Sequence, residues 1–284
     1  MKNLSILSLI VITIMSSCKK ECNEINGKRI IPSVATKFNN KTIEISNTLG
    51  SSASIVLVGG FGSELKTWQN LYSILPNNAS IFSYNRAGIG NSENVDGSRD
   101  AIGIAKEMRA ILAANNVKPP YVLVAHSMGG VYARMFYHLH PNLVKGIVLV
   151  DATHENQLDS LLSHVPATDR SMILAQMAAA NDAELQAMQN GSLKEEFRAN
   201  FATNYQQIRQ YNAIKNIPIY VVTSTKVTAD NPAFVVDIHK ELHEQWAMAA
   251  GLNGRFIATS NSEHYIHVDE PGLVAEGVRW ILSK

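Results

Sequence analysis

Ser127 lies in the run Ala125-His126-Ser127-Met128-Gly129, directly after the apolar stretch Tyr121–Ala125 and directly before a helical pattern, Met128–His140. This is close to G-x-S-x-G. Small residues two before and two after the serine are what a sharp strand-to-helix turn needs, because backbone there comes close to both strand and helix. A serine at such a turn projects its hydroxyl into a cleft. The first turn of the following helix offers free N–H groups and a dipole that favours negative charge. A serine serving only as a helix cap would need no small residues on both sides. The chemistry this points to is nucleophilic attack.

A nucleophilic serine needs a base, an acid to orient it, and donors for the oxyanion. Of nine histidines, His264 lies in "IATSNSEHYIHVDEPGLV", just past the last apolar run, and His267 three residues on is its competitor. His264 is nearer the strand end. For the acid, Asp151 closes the apolar run "GIVLVD", and Asp230 in the loop after "IYVVTSTKV" is the alternative. Asp151 is also suited to capping the helix that follows. Glu263, adjacent to His264, would point elsewhere. For the oxyanion, one donor is the N–H of Met128. The other is the N–H of Phe61, in the glycine-rich turn Gly59-Gly60-Phe61-Gly62. His239 and His243 lie four apart on one helical pattern, but no third ligand or HExxH spacing accompanies them, so they read as a solvated helix face. His138 and His140 read as surface or dipole-pairing groups. No metal or organic cofactor is called for.

The elements that must hold these residues alternate. Strands are expected at Thr42–Ser46, Ser54–Gly59, Ile81–Tyr84, Tyr121–Ala125, Lys145–Val150, Pro218–Thr223 and Arg255–Thr259. Several are unbroken Val/Ile-rich runs, as strands buried on both faces must be. Helices are expected at Arg99–Asn115, Met128–His140, Ala233–Ala250 and Pro271–Leu282, the last with Asp269 as a cap and Pro271 in the first turn. Strand and helix in alternation predict an α/β fold, a mostly parallel doubly wound sheet with ligands beyond the carboxyl ends of the strands. Between Asp151 and Ile217 the pattern is helical only, which predicts a helical cap over about 155–215, inserted after the strand that ends at Asp151. Its Met172, Met177 and Met188 suit a loosely specified apolar pocket, or ordinary helix packing.

The 284 residues are 46% hydrophobic and 17% charged with a net charge of +1. That is enough for one large domain and argues against nucleic acid as a partner. The N-terminus reads as a separate object. Lys2, the apolar run Leu4–Met15 and Ser16-Ser17-Cys18 form a secretory signal over residues 1–17. Ser16-Ser17-Cys18 resembles a bacterial lipobox, which implies lipidation of Cys18 and attachment of the exported protein to a membrane of the cell envelope through the lipid alone. An ordinary signal with a Cys18–Cys22 disulfide is the other reading. Residues 18–33 are polar and read as a tether, which leaves 34–284 for the folded domain.

Taken together these motifs resemble the α/β-hydrolase fold family. The order Ser127, Asp151, His264 is the family's order. "YNRAGIGNSE" (84–93) resembles its Y-D-x-x-G-x-G-x-S loop, and "SEHYIHVDEPGLV" resembles its histidine loop, whose first histidine is catalytic. The resemblance spans about residues 41–284. Gly59 stands where the oxyanion loop commonly has histidine, Asn85 where aspartate is usual, and the loop after "PIYVVTST" lacks G-x-x-D. That last departure favours an acid on the previous strand. A serine nucleophile argues against the dehalogenase and epoxide-hydrolase branches. The resemblance implies a serine hydrolase that acts on a carboxylic ester or related small acyl substrate through an acyl-enzyme. Peptidase, thioesterase, lactonase and carbon–carbon hydrolase activities share this machinery. A non-catalytic envelope lipoprotein that uses the same pocket to bind a ligand or partner is the alternative.

Overall fold

The computed structural model describes residues 31–50, 52–200 and 203–284. The signal segment, Cys18 and all but the last residues of the expected tether therefore lie outside the described residues. The apolar runs become strands β1 (Ser33–Phe38), β2 (Lys41–Thr48), β3 (Ser54–Val58), β4 (Ser80–Tyr84), β5 (Tyr121–His126), β6 (Val144–Val150), β7 (Ile219–Ser224) and β8 (Gly254–Thr259). They form one sheet in the order β1-β2-β4-β3-β5-β6-β7-β8. β1 and β2 run antiparallel to their neighbours; the other pairings are parallel. The helices longer than one turn are α1 (Ala101–Ala114), α2 (Gly129–Leu139), α3 (Gln157–Ser163), α4 (Ala167–Ala187), α5 (Ser192–Asn200), α6 (Thr203–Ile208), α7 (Ala233–Ala250) and α8 (Pro271–Leu282).

The period of two along each strand divides the core. Val56, Val58, Leu123, Ala125, Ile147, Leu149, Ile219 and Val221 face one side with residues of α1, α2 and α7. Ile55, Leu57, Val122, Val124, Val148, Val150, Tyr220 and Val222 face the other, with residues of α8. Burial on both faces is why the runs carry no polar alternation. β1 is the exception: mostly exposed, with no buried residue, it pairs with β2 through the two-residue turn Asn39-Asn40, at φ 48° and 63°. Asparagine tolerates the left-handed backbone that such hairpin turns require.

Two expectations need correction. The tether ends earlier than residue 33: Ile31 is buried in the α8-side core, and Ser33 pairs with Ser46. The residue at the cap position of α8 is Glu270 rather than Asp269. Asp269 ends a short helical turn, Ile266–Asp269, and Glu270 precedes Pro271 without a capping bond. The Glu270 carboxylate is committed elsewhere, as described below.

Helices α3 to α6 fill the interval between β6 and β7, where the cap was expected. The Met-bearing α4 buries only Ile173 and Met177. Met177 packs with Ile173, Leu158, Leu162 and Val165, while Met172 is largely exposed. Met177 fits the packing reading; among the described residues Met172 packs in no core cluster.

The departure at Asn85 has a physical reason. This buried amide sits just past β4, where its Oδ1 accepts the Leu65 N–H at 2.6 Å and its Nδ2 donates to Glu44 Oε2 at 2.6 Å. Glu44 is also held by the backbone and side-chain N–H groups of Asn91. An aspartate at 85 would set a carboxylate against Glu44. Asn85→Asp is expected to lower the unfolding free energy by about 2 kcal/mol near neutral pH. The deficit should shrink below about pH 4, where the two carboxyls share a proton. Urea unfolding at both pH values measures this, and an equal deficit at both would contradict it.

Candidate active site

β5 ends at His126, α2 begins at Gly129, and Ser127 lies between at φ +53°. A non-glycine residue in the left-handed region is strained, and its surroundings must hold it there. Here the Ser127 N–H donates to the Val150 carbonyl at 3.2 Å, and the Ser127 carbonyl accepts from the N–H groups of Gly130 (2.9 Å) and Thr153 (3.0 Å). The turn is pinned on both sides to the end of β6. A Cβ at Gly129 would lie 2.3 Å from the Val58 carbonyl oxygen, so only glycine fits two residues after the serine. Ala125, two residues before it, is fully buried among the core side chains with its methyl accommodated.

Asp151 follows β6 at φ +40°. Its N–H donates to the Val222 carbonyl, and its Oδ1 accepts the Ser224 N–H at 3.0 Å. Its Oδ2 lies 2.8 Å from Nδ1 of His264. That bond fixes the imidazole as the Nδ1–H tautomer and leaves Nε2 as the basic nitrogen. Burial pushes the Asp151 carboxyl up, but the His264 bond, with His243 and His239 nearby, outweighs it and holds the acid below the usual range. Asp230 is exposed in the loop after β7, and Glu263 pairs with Lys226.

The histidine loop is itself tied down. Glu270 accepts from Thr259 (2.6 Å), Ser262 (2.8 Å) and Asn261 (3.3 Å), and Ser224 Oγ donates to the Ser262 carbonyl. His126 Nε2 lies 2.9 Å from the His264 carbonyl. Burial, with His267 and His264 close by, holds His126 well below the usual imidazole range, so it stays neutral. His267 is fully buried with its ring 4.4 Å from Trp68. It packs behind the site, and His264 is the histidine that meets the acid.

The pair His239 and His243 is not a solvated face. His243 is buried, with Nδ1 on Thr223 Oγ1 at 2.8 Å and Nε2 on the Ala152 carbonyl at 2.6 Å. It supports the backbone just after Asp151. His138 does not pair with a helix dipole either. It stacks on Tyr211 at 4.4 Å, and burial, with Arg134 nearby, lowers it to about 4.

On the other side of Ser127 lies the glycine-rich turn. A Cβ at Gly60 would stand 2.9 Å from Ser127 Cβ and 3.4 Å from its Oγ. Backbone of this turn therefore comes directly against Ser127, next to the N–H of Phe61. The carbonyls of Gly59 and Gly60 accept from Arg86 Nη1 (2.7 Å) and Nη2 (2.6 Å). Arg86 is paired with Glu196 of α5, and both are buried. Arg86 falls within the "YNRAGIGNSE" motif, but its partner lies 110 residues away and nothing local marks it.

Residues 53–216, more than half of the chain, match the model of the alpha/beta hydrolase fold. The chain belongs to the α/β-hydrolase fold family. It is 28% identical over 225 residues to the uncharacterized protein YqjL of Bacillus subtilis, across 79% of this chain and 81% of that one. A stretch of 113 residues, 39% of this chain and 33% of the other, is 26% identical to the (lyso)-N-acylphosphatidylethanolamine lipase of Bos taurus. Among solved structures, ALR0039 of Nostoc sp PCC 7120 superposes with a TM-score of 0.66 at 11% identity, over 89% of this chain and 98% of that one. At that identity the likeness concerns the fold alone, which for this hydrolase-fold chain is the mostly parallel eight-stranded sheet.

Two outcomes are expected. Asp151→Asn should lower kcat for a p-nitrophenyl ester by about a thousand-fold or more, while Asp230→Asn stays within about two-fold; the reverse ranking would remove Asp151 from its role. Acid sensitivity should come from buried neutral imidazoles: burial, first among the causes, lowers His239 and His138 to about 4 and His154 to about 3. Unfolded imidazoles near pKa 6.5 take up protons that the folded ones refuse. Stability is therefore full above pH 6.5 and is lost as the pH falls toward 4. Denaturant midpoints that stay level from pH 7 to 4.5 would contradict this.

Proposed function

We propose that this chain is a serine hydrolase of carboxylic esters or closely related acyl compounds. The observation that carries the reading is the convergence of three separately encoded pieces. A strained serine lies at a strand-to-helix turn, a histidine bonds through Nδ1 to a buried carboxylate, and a glycine-rich backbone lies against the serine.

In this reading Ser127 Oγ attacks the carbonyl carbon while His264 Nε2 takes its proton. Asp151 stabilises the imidazolium and keeps the ring in its tautomer. The tetrahedral oxyanion is held by the N–H groups of Phe61 and Met128. As the intermediate collapses, the proton passes from His264 to the leaving oxygen, and an acyl-Ser127 ester remains. Water activated by His264 then attacks the ester, releases the acid and returns the proton to Ser127. An ester suits this arrangement, and the lipase among the relatives supports it. Attachment to an envelope membrane through Cys18 is part of the proposal. It rests on the N-terminal sequence, and among the described residues no helix is long and apolar enough to cross a membrane.

The test is a pre-steady-state assay with p-nitrophenyl butyrate. A burst of nitrophenolate of about one equivalent, with a butyryl adduct on the peptide containing Ser127, is the expected result. Turnover that persists in Ser127→Ala would contradict the mechanism.

A further inference from the structure

Arg86 and Glu196 stand apart from the Ser127, His264 and Asp151 set, yet they form the most heavily bonded charged pair near it. The Arg86 guanidinium donates through Nε to both Glu196 oxygens (3.2 and 3.0 Å), through Nη2 to Glu196 Oε1 (2.6 Å) and to the Gly60 carbonyl (2.6 Å), and through Nη1 to the Gly59 carbonyl (2.7 Å). It also lies over the Tyr132 ring at 5.0 Å. Glu196 is fully buried and accepts in addition from the Tyr132 hydroxyl at 3.2 Å; Arg99 lies 4.0 Å away. A planar fork with this many committed donors has no freedom to rotate.

What the fork holds is a peptide plane. The Gly60 carbonyl and the Phe61 N–H belong to the same trans peptide and point in opposite directions. Fixing the Gly60 oxygen on Arg86 therefore fixes the direction of the Phe61 N–H, in the turn that lies against Ser127. Glycine at 59 and 60 gives the turn its tight bend but also leaves its backbone free to rotate. Within the turn the Gly60 carbonyl also accepts the Ser63 N–H at 3.2 Å; the shorter, charged bond comes from Arg86 and is anchored by a carboxylate from α5, in the segment inserted between β6 and β7.

We propose that Arg86 and Glu196 are positioning residues for the oxyanion hole, so that the inserted helices set the geometry of the donor at Phe61. This rests on the hydrolase reading for its kinetic consequence and on the peptide geometry alone for its structural one. It also implies that α5 stays seated while the site is competent, because lifting it would strand a buried charge.

The test compares wild type, Arg86→Lys and the double variant Arg86→Met/Glu196→Leu. The double variant removes the ion pair without stranding either charge and keeps apolar volume, so it is suited to folding. Backbone amide resonances of Phe61 are followed by 15N NMR, and p-nitrophenyl butyrate hydrolysis by kcat, KM and pH profile. The expected result is a shifted or broadened Phe61 amide in both variants. It is accompanied by a fall in kcat of about ten- to a hundred-fold, below the loss of a whole donor, with KM within about two-fold. The pH midpoint should not move, because the pair Asp151–His264 is untouched. A Phe61 amide unmoved in a folded double variant would overturn the inference whether or not Ser127 reacts. So would full kcat in that variant. A wild type that lacks esterase activity while its Phe61 amide still responds would count against the hydrolase reading and leave the positioning intact.

Discussion

Three stretches of backbone must pass within a methyl's width of one another at Ser127, and much of the local sequence follows from that. The end of β3 presses against Gly129, where a Cβ would meet the Val58 carbonyl oxygen at 2.3 Å. The segment after β6 presses against Gly130, where a Cβ would meet Ala152 Cβ at 2.5 Å. The turn after β3 presses against Ser127 itself through Gly60. No side chain fits at these contacts, which is why glycines cluster there. The positive φ of Ser127 and of Asp151 is the backbone's answer to the same crowding. Strain of this kind costs about 1–3 kcal/mol per residue, and the cross-strand hydrogen bonds of Ser127, Gly130, Asp151 and Thr153 hold it in place.

Around that knot the protein buries charge in an ordered way. The Asp151 carboxylate is compensated by hydrogen bonds from Ser224 and His264, and Arg86 is paired with Glu196. Arg99 pairs with Glu107 a few residues along the same stretch. An unpaired ion in these places would cost several kcal/mol, whereas a bonded pair roughly breaks even. Pairing therefore secures geometry more than stability. His126, His243 and His267 are buried as well. Keeping His126 uncharged lets it support the His264 carbonyl without repelling an imidazolium on His264 during the proposed reaction.

The parts legible in the sequence were those encoded locally. Strands β3 to β7 announced themselves as apolar runs because both faces are covered. Ser127, Asp151 and His264 stand at strand ends, where topology places a ligand. β1 carries no apolar run to mark it because it lies mostly exposed at the sheet edge, although Asn39-Asn40 between two extended runs was an available turn signal. The histidines were misjudged for a different reason. His239 and His243 share a helix face, but periodicity does not say whether that face meets solvent or, as here, the backbone after Asp151. Arg86 with Glu196, and Glu270 with its loop, were invisible because their meaning lies in partners that only the fold brings together. Asn85 looked like a departure from a family pattern until Glu44 appeared beside it.

In the proposed mechanism the crowded turn presents one hydroxyl, that of Ser127, and His264 activates it. Intact-mass spectrometry of a purified 19–284 chain after exposure to a fluorophosphonate tests it most directly, with Ser127→Ala alongside. A single phosphonyl adduct is expected on the wild-type chain, mapped to Ser127, and none on the variant. A folded wild-type protein that stays unmodified, or an adduct that persists in Ser127→Ala, would contradict it.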